Sequence, residues 1–149
     1  MKKILIFTDG GAIGNPGPAA VGVVIKNEKG KVLTSFGKII GSTTNNVAEY
    51  MGVIEALRWI TENVEVRKKF SSLPSLQFFL DSRLVVNQIN GLFKVKNARL
   101  RDLLFQVRQL EQTVGGQIAY QHVPREQNAL ADAEVKKALQ RISSVSKKS

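Results

Sequence analysis

The residue pattern predicts a mixed α/β (α+β) architecture, in which a five-stranded sheet is flanked by helices. Three observations carry this. Short β-branched and apolar runs, separated by turn residues, fill the first forty positions and read as an antiparallel meander. Longer stretches with apolar residues at helical spacing follow, and two further short apolar runs lie between and after them. The resulting order, βββαβααβα, leads to one mixed sheet with helices packed on it.

Lys3 to Asp9 is a short apolar run, expected as a buried strand. Gly10 to Pro18 is turn chemistry throughout. Ala20 to Lys26 is the second strand, Asn27-Glu28-Lys29-Gly30 a hairpin turn, and Val32 to Ile40 the third strand. Val47, Met51, Ile54, Leu57 and Ile60 share one helical face, so a long helix begins near Asn46. Leu76 to Asp81 is a buried strand, and Arg83 to Asn90 a short helix ended by Gly91. Leu100, Leu103, Leu104, Val107, Leu110 and Val114 mark another helix, stopped at Gly115-Gly116. Gln117 to Val123 is the fifth strand, and Asn128 to about Ile142 the last helix. One domain over 1–142 is expected, with 143–149 as a disordered Ser/Lys tail.

The 149 residues are 43% hydrophobic, enough to bury a core without covalent staples. There is no cysteine, which excludes disulfides and thiolate metal sites within the chain and fits a reducing compartment. No apolar run approaches a membrane span, and the stretch after Lys2-Lys3 breaks at Thr8-Asp9-Gly10, too early for a signal peptide. A cytoplasmic protein with no membrane partner is expected. Twenty-two basic against twelve acidic residues give +10, which favours a polyanionic partner but does not name one.

Four carboxylates stand out. Each has an ordinary explanation: Asp9 closes a turn before Gly-Gly, Glu49 sits at capping-box spacing from Asn46, Asp81 precedes a helix as an N-cap, and Asp132 favours the dipole of the last helix. Their joint placement says more. Two end strands and two lie near helix N-termini, places that in a mixed sheet fall outside the same strand ends. Four carboxylates gathered there repel one another unless cations neutralise them. Oxygen ligands without His or Cys select Mg²⁺ or Mn²⁺. A pair of such ions can clamp both oxygens of a phosphodiester displacement. A basic protein with an acidic, magnesium-suited centre has what a nuclease needs.

Four motifs resemble type 1 ribonuclease H in order and across nearly the whole chain: Phe7-Thr8-Asp9-Gly10-Gly11 with Gly14-Asn15-Pro16-Gly17-Pro18, then Thr43 to Tyr50, Asp81 to Gln88, and Val123 to Asn128 running into Ala131-Asp132. The resemblance implies the ribonuclease H-like fold, with three antiparallel strands and then two parallel ones. It implies an endoribonuclease that hydrolyses the RNA strand of RNA–DNA hybrids through two Mg²⁺, with Mn²⁺ as a substitute, leaving 5′-phosphate and 3′-hydroxyl ends. It implies Asp9, Glu49, Asp81 and Asp132 as catalytic metal ligands. Asn15, Asn45 and Asn46 match family contacts to the hybrid, and Thr44 and Asn97 match a pocket for a DNA-strand phosphate. A monomer is expected, and cleavage of double-stranded RNA stays open as a second specificity.

The chain departs from the family in three places. Ser42 stands where the phosphate pocket often has an arginine. Only Gly91 to Arg99 joins the short helix to the long one, where many members carry a basic, Trp-rich insertion; Lys94, Lys96, Arg99 and Arg101 are the local replacement or a solvated helix entrance. The connection 124–128 holds no helper histidine, and His122 is read as a packed strand residue, with Arg125 and Glu126 nearby. The competing functions are a non-catalytic nucleic-acid-binding member of the fold, a different nuclease of that fold, and a basic RNA-binding domain. The complete carboxylate set and the Asn-Asn motif disfavour all three.

Overall fold

The computed structural model describes residues 3–68 and 75–148. The elements run β1 (Lys3–Ala12), β2 (Gly17–Asn27), β3 (Val32–Thr43), α1 (Asn45–Glu62), α2 (Val64–Lys68), β4 (Ser75–Leu80), α3 (Arg83–Ile89), α4 (Ala98–Val114), β5 (Gln117–His122), a 3-10 turn at Arg125–Asn128, and α5 (Ala129–Lys148). The sheet has five strands in the order β3-β2-β1-β4-β5. β1, β2 and β3 pair antiparallel, whereas β1–β4 and β4–β5 are parallel. The expected mixed sheet is therefore present. β1 is its hinge, with an antiparallel neighbour on one side and a parallel one on the other.

One face of the sheet packs on α1, backed by α4. Ile4, Ile6, Val23, Ile25, Tyr50, Ile54, Leu57, Phe78, Leu103 and Val107 form this larger core. The opposite face packs on α5 through Ala20, Val135 and Ala138. Removing such apolar surface from water supplies most of the driving force that opposes chain entropy. Within the larger core, the Tyr50 hydroxyl donates to Gln88 Oε1 at 2.8 Å, so neither buried polar group is left unpaired there.

Several boundaries differ from the sequence expectation. The Gly10–Pro18 stretch is not all loop, because β1 continues to Ala12 and β2 starts at Gly17. Gly10 is needed for close approach rather than for a turn: a Cβ there would lie 2.2 Å from the Ala48 carbonyl carbon, where α1 crosses β1. Gly22 does the same on the other face, where a Cβ would lie 2.1 Å from the Ala131 oxygen of α5. The first long helix begins at Asn45 and is capped by Thr44, not by Asn46. α2 and the 3-10 turn were not anticipated; each is four or five residues long, too short to show a periodicity. The segment expected as a disordered tail continues α5 to Lys148, since no glycine or proline stops the helix after Ile142. Met1, Lys2 and Ser149 lie outside the described residues.

Candidate active site

Beyond Phe7, β1 loses its parallel neighbour, for the β1–β4 ladder ends at Phe7 opposite Phe79. The antiparallel ladder with β2 continues to Ala12. A cleft of about 540 Å³ opens where β1 and β4 part, the kind of switch point at which open α/β sheets bind ligands. Asp9, Glu49, Asp81 and Asp132 all line it, together with Asn45, Asn46, Ser82, Arg125 and Lys136.

Two close contacts bring the helix-borne acids to the strand-borne ones. Gly10 admits the Ala48–Glu49 backbone of α1 against β1, and Gly22, paired with Asp9 across the ladder, admits the backbone of α5 at Ala131, the residue before Asp132. Asp9, Glu49 and Asp81 each offer a carboxylate oxygen, and these oxygens lie within 4.8 Å of one another. Asp132 is not part of that tight group. It stands on the cleft wall with Oδ2 paired to Lys136 Nζ at 2.9 Å.

Local capping explains why these carboxylates are available. Thr44 Oγ1 accepts from the Val47 N–H at 3.3 Å and so caps α1, and Ser82 Oγ accepts from the Val85 N–H at 3.3 Å and caps α3. The capping roles expected of Asn46 and Asp81 are thus filled by Thr44 and Ser82. Glu49 Oε1 instead accepts from the Gly10 N–H at 3.4 Å, while Glu49 Oε2 is buried with no partner.

Electrostatics agree with the geometry. Burial, with Asp81 and Asp132 nearby, pushes the Asp9 carboxyl up to about 6, although a hydrogen bond with Glu49 opposes this. Burial first, then the Asp9 charge, holds Glu49 well above the usual carboxylate range. An orphaned buried oxygen among three mutually repelling carboxylates is a poor arrangement for a protein alone and a good one for a hard divalent cation. The donor set therefore fits Mg²⁺ or Mn²⁺.

The remaining expected residues fall into two groups. Asn45 and Asn46 line the cleft. Asn45 also locks the neighbouring loop: its Oδ1 accepts from Ala12 N–H at 2.9 Å, and its own N–H donates to Asn15 Oδ1 at 2.9 Å. Asn15, Thr44 and Asn97 are not among the residues that line the cleft. Asn97 caps α4 by accepting from the Leu100 N–H at 3.0 Å. His122 is half-buried at the end of β5, opposite Leu80, and does not line the cleft. Lys136 was missed by sequence reasoning; its i,i+4 spacing from Asp132 on one helix was the available signal.

A family model described as reverse transcriptase-like matches residues 7–138. A ribonuclease HI of Halobacterium salinarum is 35% identical over 137 residues, covering 92% of this chain and 64% of that protein. A bifunctional protein of Mycobacterium tuberculosis is 38% identical over 131 residues, and the match covers 87% of this chain but only 34% of that protein's length. Among solved structures, LC11-RNase H1 in complex with an RNA/DNA hybrid superposes with a TM-score of 0.86 at 39% identity, covering 93% of this chain and 98% of that one. The crystal structure of the Halobacterium salinarum RNase H1 gives a TM-score of 0.80 at 34% identity, with 93% and 98% covered.

Proposed function

Because the chain belongs to the type 1 ribonuclease H family, we propose that it is an endoribonuclease that hydrolyses the RNA strand of RNA–DNA hybrids. The observation that carries this is the trio Asp9, Glu49 and Asp81, with carboxylate oxygens within 4.8 Å of one another in an open cleft of a chain bearing +10 net charge. The relative LC11-RNase H1 has been solved with an RNA/DNA hybrid, which supports the same partner here.

In this reading Asp9, Glu49 and Asp81 hold divalent cations, and Asp132 joins them when its pair with Lys136 opens. Two bound Mg²⁺, or Mn²⁺, lower the pKa of water and offset phosphate charge. The chain's residues do the rest. Asp9, within β1, and Asp81, directly after β4, are held rigidly, so they fix where the scissile phosphate sits. Asn45 and Asn46 present amides that both donate and accept, suited to base edges and 2′-hydroxyls. Arg125 and Lys136 at the cleft offset backbone charge. Water attacks in line, and the 3′-oxygen leaves, giving a 5′-phosphate and a 3′-hydroxyl. The enzyme acts as a monomer.

The test is cleavage of end-labelled RNA–DNA, RNA–RNA, DNA–DNA and single-stranded RNA, each with Mg²⁺, Mn²⁺ or EDTA. Internal cuts in the hybrid's RNA strand, dependent on metal, are expected. Cutting that persists in EDTA, or 2′,3′-cyclic phosphate products, would overturn the proposal. Cutting of RNA–RNA would broaden the substrate class.

A further inference from the structure

Asn128 closes the 3-10 turn just before α5 and is 1% exposed. Its Nδ2 donates to the Thr8 carbonyl at 2.8 Å and to Asp81 Oδ2 at 3.4 Å. Thr8 follows the last β1 residue that pairs with β4, and Asp81 follows the last residue of β4. The amide therefore bridges the gap at the point where the two strands part. An amide nitrogen carries two hydrogens, so one atom can serve an acceptor on each strand. Leucine could fill the space without donating, and aspartate would add a further negative charge beside Asp81.

The other end of the same side chain is informative. Asn128 Oδ1 is buried with no partner. Turning the amide over would set Oδ1 against the Thr8 carbonyl and the Asp81 carboxylate, bringing acceptors together. The orientation is thus set by the donors, and an unpaired buried oxygen is tolerated to keep it. Buried polar groups left unsatisfied call for such a reason.

We propose that Asn128 is a positioning residue for Asp81: it ties the carboxylate to β1 across the strand gap and so sets the distance between Asp81 and Asp9. The proposal rests on the reading of Asp9, Glu49 and Asp81 as cation ligands. Groups that orient ligands from behind are commonly worth 10–100-fold in metal affinity.

The experiment uses Asn128→Leu, which keeps the heavy-atom branching and removes both donors. Ala138→Gly, in the following helix α5 and packed against the far part of the sheet, is the control for lost stability. Mn²⁺ alone is titrated calorimetrically into wild type and both variants, and folding is followed by circular dichroism. Asn128→Leu is expected to bind Mn²⁺ about tenfold more weakly or worse, while Ala138→Gly melts earlier yet binds as wild type does. Equal affinity in Asn128→Leu and the control overturns the positioning role and leaves the functional reading intact. Wild type that fails to bind Mn²⁺ overturns both. Should Asn128→Leu not fold, the side-chain amide resonances of Asn128 decide. In ¹H–¹⁵N spectra, one of its two Nδ2 protons is expected to shift in Asp81→Asn, and no response of either proton refutes the bond.

Discussion

Replacing Asp9 with Asn should stabilise the metal-free protein at neutral and alkaline pH. Asp9 is 5% exposed, and burial beside Asp81 and Asp132 pushes its carboxyl from an ordinary 3.8 up to about 6. A carboxyl whose pKa is raised on folding favours the folded state while protonated. That contribution is complete below the unfolded value and is lost as pH rises through the folded one. Between about pH 4 and pH 6–7, wild type should therefore lose stability relative to Asp9→Asn. A rise from 3.8 to about 6 corresponds to roughly 3 kcal/mol, at about 1.4 kcal/mol for each tenfold change in proton affinity. At the roughly 2–4 °C per kcal/mol of a chain this size, that is about 6–12 °C in Tm. Asn also keeps a side-chain oxygen that can accept from Glu49, as the Asp9 carboxylate does. The assay is thermal unfolding in EDTA from pH 4 to pH 8, with wild type and variant in parallel. Mg²⁺ should then raise the Tm of wild type and do little for the variant, since ligand binding stabilises only the form that binds it. A Tm difference that does not grow with pH, or a variant less stable than wild type at pH 8, would refute the electrostatic account of the cleft.

Asp81→Asn should nearly abolish cleavage of the hybrid, with circular dichroism unchanged, because the side chain follows a buried strand and carries one of the three close carboxylates; near wild-type rates with Mg²⁺ would mean that the cation site lies elsewhere. Asn46→Ala, in the cleft, should reduce the preference for hybrid over DNA duplex more than it reduces binding to nucleic acid in general, since backbone charge supplies the non-specific part. That ratio is measured at one fixed salt concentration, and an unchanged value counts against the assignment. His122→Ala should cost some stability and leave cleavage largely intact, because His122 sits at the end of β5 away from the cleft lining; a ~10²–10⁴-fold loss of rate in folded protein would make it an acid–base group instead.

The strands and long helices were legible because each writes its period into the sequence. Ile4 and Ile6 alternate inward along β1, and Val53, Ile54, Leu57 and Ile60 line the buried face of α1. The ends were harder. Gly10-Gly11 reads locally as a turn, yet both lie in β1. What Gly10 answers is the carbonyl of Ala48, nearly forty residues away in the chain, and no local pattern records such an approach. Lys148 at the end of α5 illustrates the reverse error: a polar, Ser/Lys-rich composition suggested disorder, but nothing in it forbids a helix from continuing.

The carboxylates illustrate why a site is less legible than a fold. Asp81 and Ser82 are both good N-caps, as are Thr44 and Asn46, and propensity cannot choose between neighbours. The choice matters chemically. With Ser82 and Thr44 serving the helix ends, Asp81 keeps an oxygen for the cluster and Glu49 reaches across to the Gly10 N–H. Had Asp81 been the cap, its charge would have been engaged by backbone amides and of little use to a cation. Asp132 shows the same competition left undecided by position alone. Its backbone neighbour Ala131 is pinned beside Gly22, opposite Asp9, while its carboxylate is paired with Lys136. That pair is an i,i+4 contact whose lysine end is exposed to solvent, the kind worth only about 0.3–0.5 kcal/mol. In the proposed reading, a divalent cation entering beside Asp9 would compete against only that small energy, so the fourth carboxylate would be held near the centre at low cost and released to it easily.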